Sequence, residues 1–311
     1  MNILVTRNLP SSVIARLHEL GSVDVYKEGV IPADVLKQRV ADKDALVCLM
    51  SDVIDQGVID AGTRLKIVSN VAVGYNNIDH AYARSRGIVV TNTPDVLTES
   101  VADFTWAMIL AITRRLAEGD RLIRRGGWKT WGFDFMLGTE LRGKQLGLVG
   151  FGRIARAVAA RSPVFGMRVA YTDVRPADSP FESMSLDRLL NTSDVVSLHV
   201  NLTSETRHLI DRKAFARMRR SAYFVNTARG PVVDEAALVW ALEQRLIAGA
   251  ALDVYEDEPA VHPGLPPLEN VMLVPHLASA TTETRTAMAN LAVDNVAAVL
   301  AGRPPLTPVL G

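Results

Sequence analysis

Residues 146–173, LGLVGFGRIARAVAARSPVFGMRVAYTD, constrain the fold more than any other stretch. An apolar run (Leu146, Leu148, Val149) leads into Gly150, Phe151, Gly152, Arg153, Ile154 and Ala155. A helical pattern follows, then a second apolar run, 167–171, and an acid, Asp173. Strand, glycine-rich turn, helix, strand, carboxylate is the order of a βαβ unit that binds a dinucleotide. Gly150 permits the tight turn. Gly152 lets the backbone approach a pyrophosphate, and the helix that opens at Arg153 and Ile154 offers N–H groups and partial positive charge to that anion. Asp173 lies 23 residues after Gly150, close to the ~20 of an acid that binds the adenosine ribose. Ala155 stands where a third glycine is usual, a position that needs only a small side chain. The competing reading is an ordinary glycine turn; the flanking strands and the spacing of the acid weigh against it.

A chain of 311 residues suggests about two domains. Lys plus Arg equals Asp plus Glu, 34 each, so nothing recommends a nucleic-acid or anionic-membrane partner. The one cysteine, Cys48, sits in the apolar run 45–50 and reads as a buried, inert thiol. The opening MNILVTRNLP lacks the apolar core of a signal peptide. No apolar run reaches the ~18 residues of a membrane helix. No His, Cys or Asp cluster has metal-ligand spacing. The expectation is a cytoplasmic protein with no metal.

Short apolar runs alternate with helical patterns: 3–6, 23–26, 45–49, 66–69 and 88–91 before the glycine turn, then 168–171, 195–199, 222–226, 249–253 and 271–274 after it. Their lack of polar alternation predicts parallel strands covered on both faces, and hence an α/β architecture. Residues 95–116 read as one long helix, as do 281–300, which stop at Gly302 before Pro304 and Pro305. The second is expected to return the chain to the first domain. The predicted division is 1–98 plus 284–311, a substrate domain, and 99–283, a nucleotide domain inserted into it. Residues 126–138, GGWKTWGFDFMLG, pack two Trp and two Phe into a stretch with no clean period. They read either as a loop tucked against its own core or as an arm that buries aromatics in a partner subunit.

Three residues after the glycine turn stand at strand ends, where open α/β sheets bind ligands. Arg229 follows the run 222–226 in VNTARGPVVDE. It is either a carboxylate clamp or a surface arginine. Glu258 closes the acidic cluster of LDVYEDEP after the run 249–253, in a loop whose bland reading is solvation. His276 of LVPHLASAT alone among six histidines combines a strand end with an apolar approach.

The motifs SNVAVGYNNID, GFGRIA, SLHVNLTSETRHLI, VNTARGPVVDE, ALDVYEDEP and VPHLASAT, in this order, resemble the D-isomer-specific 2-hydroxyacid dehydrogenase family. Within it, the region 126–150 looks most like the glyoxylate/hydroxypyruvate and 2-ketogluconate reductase branch. The resemblance implies two Rossmann-like or flavodoxin-like domains with parallel sheets. It implies reduction of a small 2-oxo acid by hydride from NAD(P)H, and a homodimer. Arg229 would hold the substrate carboxylate, with the backbone of Val73 and Gly74 receiving it from the first domain. Glu258 would hydrogen-bond His276, the general acid/base. His199, Thr206, Thr227, Ala228, Asp253 and Ala278 match positions around the cofactor. Asn201 departs from the family's usual proline. Asp173 favours NAD, since a carboxylate repels a 2′-phosphate; Arg153 and Arg175 keep NADP open. Two alternatives stand beside this reading: a corepressor-like, non-catalytic nucleotide sensor, and a phosphite or formate dehydrogenase of the same superfamily.

Overall fold

The computed structural model describes residues 1–175 and 177–310. The chain forms two compact units, Met1–Leu97 with Thr281–Gly311, and Thr98–Ala280. The first runs β1 (Asn2–Val5), α1 (Ser11–His18), β2 (Ser22–Val25), α2 (Ala33–Val40), β3 (Ala45–Cys48), α3 (Gln56–Ala61), β4 (Ile67–Asn70), α4 (His80–Ser85) and β5 (Val89–Thr91). The second opens with α5 (Thr98–Thr113) and α6 (Leu116–Arg124), then β6 (Gln145–Val149), α7 (Arg153–Arg161), β7 (Arg168–Thr172), β8 (Glu182–Ser183), α8 (Leu186–Thr192) and β9 (Val195–Leu198). It continues through α9 (Arg212–Arg217), β10 (Tyr223–Asn226), α10 (Glu235–Glu243), β11 (Gly249–Leu252) and β12 (Val271–Leu273). Helix α11 (Thr282–Leu300) completes the first unit, packing on β4, β3 and α1.

Both sheets are parallel throughout. The first has order β2-β1-β3-β4-β5, the flavodoxin-like arrangement. The second has order β12-β11-β10-β9-β6-β7-β8, a Rossmann-type sheet whose direction of winding reverses between β6 and β9. Every residue of β3, β4, β6, β9, β10 and β11 is buried. That is why these strands read as unbroken apolar runs: helices cover both faces. Alternate residues serve different cores. Phe224 of β10 packs in one cluster with Phe215 and Leu238, while Val225 joins Leu148 and Trp106 in the other. Side chains of Asp55, Asp79, Ser185, Asp211, Asp234 and Thr281 cap the helices that follow them.

Three local features were not legible in the sequence. The helix expected over 95–116 is α5, Thr98–Thr113; the chain breaks at Arg115, which adopts a left-handed conformation (φ 55°) with its guanidinium on Glu118 at 2.8 and 2.7 Å, before α6 begins at Leu116. No glycine or proline marks that break. The two-residue edge strand β8 has no apolar run to announce it. The aromatic segment is not tucked away: Trp131 is 74% and Phe133 88% exposed.

Phe224 is fully buried and meets Phe215 edge-on at 5.3 Å. Replacing it with Ala should cost about 3–5 kcal/mol of stability. Urea unfolding measures this; a loss under ~1 kcal/mol would contradict the packing described.

Candidate active site

The glycine turn sits between β6 and α7. Gly150 has φ +88°, and a Cβ there would lie 2.7 Å from the carbonyl oxygen of His199. Only glycine meets both demands. At Gly152 the space a Cβ would take is open, and no side chain caps the start of α7. Ala155 is fully buried against the sheet. Asp173, exposed just beyond β7, accepts from the backbone N–H of Phe151 at 2.6 Å and of Arg175 at 2.9 Å. The acid thus braces the turn as well as presenting a carboxylate beside it. Bare glycine, uncapped helix start and neighbouring acid together fit a dinucleotide: anionic phosphates at the N–H groups, ribose hydroxyls at the carboxylate.

Other predicted cofactor residues border the same sheet edge. His199 follows β9, its Nε2 is 3.0 Å from Ser197 Oγ, and desolvation pushes its pKa down to about 4. Thr206 Oγ1 closes its own turn, donating to Asn201 O at 2.6 Å and accepting from Thr203 N. Thr227 shares a buried hydroxyl contact of 3.0 Å with Thr105. Ala228 N–H donates to the buried Asn226, whose Nδ2 in turn donates to Arg229 O. Arg153 and Ile154 open α7.

Three loops, after β10, β11 and β12, carry the charged candidates. A Cβ at Gly230 would collide with Tyr255 O, so the loop bearing Arg229 lies backbone to backbone on the loop bearing Glu258. Glu258 Oε1 accepts from Tyr255 N at 3.0 Å, and its Oε2 is 2.9 Å from His276 Nδ1. Burial opposes ionisation of Glu258, but the bond and charge of His276, the Tyr255 N–H and the charge of Arg229 outweigh it and hold the carboxyl below its usual range. Burial lowers the pKa of Arg229, with Glu258 pulling the other way. His276 takes a left-handed conformation (φ 53°). Asp253, fully buried at the end of β11, fixes that bend: its carboxylate accepts from Leu277 N at 2.5 Å and Ala278 N at 3.0 Å, and its carbonyl accepts from His276 N at 2.9 Å. Ala278 is therefore held through its backbone, and its carbonyl accepts from Ser100 Oγ.

Arg229, Glu258 and His276 are thus brought together, and Asp253 supports them from beneath. Such a set can bind an anion and pass a proton: with Nδ1 engaged by a carboxylate, Nε2 is the nitrogen left to give or take one. Sequence reasoning passed over the supports, Tyr255 and Asn226. Val73 and Gly74 belong to the other unit, in the loop after β4, where Asn92 Nδ2 donates to Val73 O and Asn70 Nδ2 to Gly74 O. A cavity of about 270 Å³ near Arg115, Tyr223 and Asn270 lies at the amino-terminal edge of the second sheet and contains none of these candidates. Among the described residues, no helix is long and apolar enough to cross a membrane.

Comparison with known proteins adds a family. Residues 106–278 match the D-isomer specific 2-hydroxyacid dehydrogenase, NAD binding domain. The chain is 48% identical to a glyoxylate reductase of Thermofilum pendens, over 97% of this chain and 92% of that one. It is 47% identical to a glyoxylate reductase of Korarchaeum cryptofilum, over 97% and 94%. Its structure is similar to that of a Thermus thermophilus protein, with TM-score 0.96 and 44% identity over all of both chains. It is also similar to an NADPH-dependent glyoxylate/hydroxypyruvate reductase of Sinorhizobium meliloti solved with NADP and malonate, with TM-score 0.89 and 36% identity over 99% and 96%.

His199 holds its proton less tightly folded (about 4) than unfolded (6.5). The stability this adds is complete above pH 6.5 and is lost as pH falls toward 4, about 3 kcal/mol in all. A His199→Gln variant should therefore lose less stability than wild type over that window, as read by urea unfolding at several pH values. Parallel curves would refute the desolvated neutral imidazole.

Proposed function

We infer the reaction from the chain's family: this protein belongs to the D-isomer specific 2-hydroxyacid dehydrogenases. It is an oxidoreductase that reduces 2-oxo acids with a nicotinamide cofactor. In our reading the substrate is a small 2-oxo acid, glyoxylate or hydroxypyruvate, as the names of its relatives suggest.

The observation that carries the mechanism is the 2.9 Å contact between His276 Nδ1 and Glu258 Oε2. A carboxylate at Nδ1 favours the imidazolium and fixes the ring's tautomer. His276 then gives its Nε2 proton to the alkoxide that develops as the 2-oxo group is reduced. Arg229 binds the substrate carboxylate in two-pronged fashion and sets positive charge beside the growing negative charge. A bound nicotinamide supplies the hydride. Gly150, Gly152, Arg153 and Ile154 hold its pyrophosphate and Asp173 its ribose, which favours NAD over NADP. His199, Thr206, Thr227, Ala228, Asp253 and Ala278 frame the rest of the cofactor site.

We read the protein as a cytoplasmic homodimer. Trp131 and Phe133 stand in water, and α6 buries none of its residues while exposing Leu116 and Ile123. A second copy that covers this surface removes the apolar area from solvent. Sedimentation of wild type should give a dimer, and of the double variant Trp131→Glu, Phe133→Glu a monomer; a monomeric wild type would refute the arrangement.

The central test is kinetic. His276→Ala should lower kcat for glyoxylate reduction by about 10²–10⁴-fold while NADH binding, followed by fluorescence, stays close to wild type. A variant with unimpaired turnover would remove His276 from the reaction.

A further inference from the structure

Outside the catalytic set, the second unit holds another carboxylate whose burial needs explaining. Glu235 is the first residue of α10, directly after its capping residue Asp234, and is only 6% exposed. An acid at a helix start is favourable in water, where it meets the helix dipole without desolvation. Glu235 instead turns inward and lies beside a second carboxylate, Glu256. Burial raises its pKa first of all, against the bond from Glu256 N–H, and the charge of Glu256 raises it further. The dipole does not account for so costly a placement.

Its contacts do. Glu235 Oε1 accepts from Glu256 N at 2.9 Å, and Glu235 N–H points back at Glu256 Oε2 at 3.5 Å. Glu256 also accepts from His208 Nε2 at 2.5 Å and Arg207 Nη2 at 3.2 Å. The backbone at residue 256 is thereby clasped to the start of α10. Its neighbour Tyr255 donates its N–H to Glu258 and its hydroxyl to Val274 O at 2.9 Å, two residues before His276.

We propose that Glu235 is a positioning residue for the acid–base pair, fixing through Glu256 N–H the loop that aims Glu258 at His276. The proposal rests on the roles given to Glu258 and His276 above. Without the clasp, the loop shifts, the Glu258–His276 bond lengthens and the imidazolium loses support. The other charges that bear on the pair, Asp253 beside His276 and Arg229 beside Glu258, are untouched by a change at Glu235. Those that bear on Glu235 are Glu256 and His262, with Arg207 and His208 reaching Glu256.

The test measures glyoxylate reduction with saturating NADH from about pH 5 to 9 for wild type, Glu235→Ala, Glu235→Gln and Glu258→Ala, with Tm for each. Glu235→Ala should lower kcat by about tenfold to a hundredfold, the usual range for a displaced group. It should move the basic limb of the profile to lower pH, in the same direction as Glu258→Ala, and leave KM for NADH unchanged. Glu235→Gln keeps an acceptor oxygen for Glu256 N–H and should restore both rate and limb. A Glu235→Ala protein with lowered Tm but wild-type kcat and profile overturns the proposal alone. If Glu258→Ala also leaves the limb in place, the acid–base reading falls and takes the clasp with it. Should Glu235→Ala not fold, Glu235→Asp, one methylene too short for the contact, serves in its place, and an unmoved limb there overturns the proposal equally.

Discussion

At Gly230 the chain has no room for a side chain, because the carbonyl of Tyr255 occupies the place where one would begin. That contact is possible because β10 and β11 are adjacent parallel strands, with Asn226 level with Leu252, so the loops leaving them emerge side by side. β12 stands next to β11 in the same register, with Leu252 level with Leu273. Three consecutive strands therefore end together and deliver an arginine, a glutamate and a histidine to one edge. The charges meet because the backbones meet. A bulkier residue at position 230 would push apart a pair of loops whose whole chemistry is their closeness.

Each charged group in this cluster is costly alone and acceptable in company. Arg229 is desolvated, Glu258 is partly so, and Asp253 is fully buried. Asp253 is tolerated because two backbone N–H groups and a nearby imidazole meet its carboxylate. The same bonds hold His276 in a left-handed backbone conformation that a bulky side chain rarely adopts. The strain is maintained by Asp253 beneath and directed by Glu258 at the side. The ring is thus supported at its backbone and at Nδ1 by two separate carboxylates.

Much of this was legible in the residues. Continuous apolar runs revealed parallel strands because burial on both faces erases alternation. The glycine turn was legible because φ +88° and contact with the His199 carbonyl leave glycine as the one choice at position 150. His276 stood out by its place after a strand. The unreadable features share a cause. Asp253 bracing the bend at His276, Glu235 clasping residue 256 and Arg115 breaking a helix by grasping Glu118 are all single hydrogen-bonded side chains. They leave no periodicity, and their partners are backbone groups or lie too near in sequence to look unusual. The acidic run at 256–258 was the hardest to read, since its three residues have separate fates. Glu256 bonds His208, Asp257 closes the local turn through its carbonyl to Ala260, and Glu258 bonds His276.

The strand order explains why one sheet can do two jobs without mixing them. Winding reverses between β6 and β9, and there the glycine turn rests on the residue that follows β9. That is where an open α/β sheet leaves a crevice for an extended ligand. The loops proposed to carry the acid–base pair lie further along the same edge, after β10, β11 and β12. The anion binding proposed for the crevice needs bare backbone, and glycine with an uncapped helix start supplies it. The proton transfer proposed above needs side chains held by other side chains, and three neighbouring loops that brace one another suit it. A nicotinamide dinucleotide has its phosphates and its reactive ring well apart in one molecule. A sheet edge that separates backbone recognition from side-chain chemistry in this way suits such a ligand better than one that gathers every polar group at a single point.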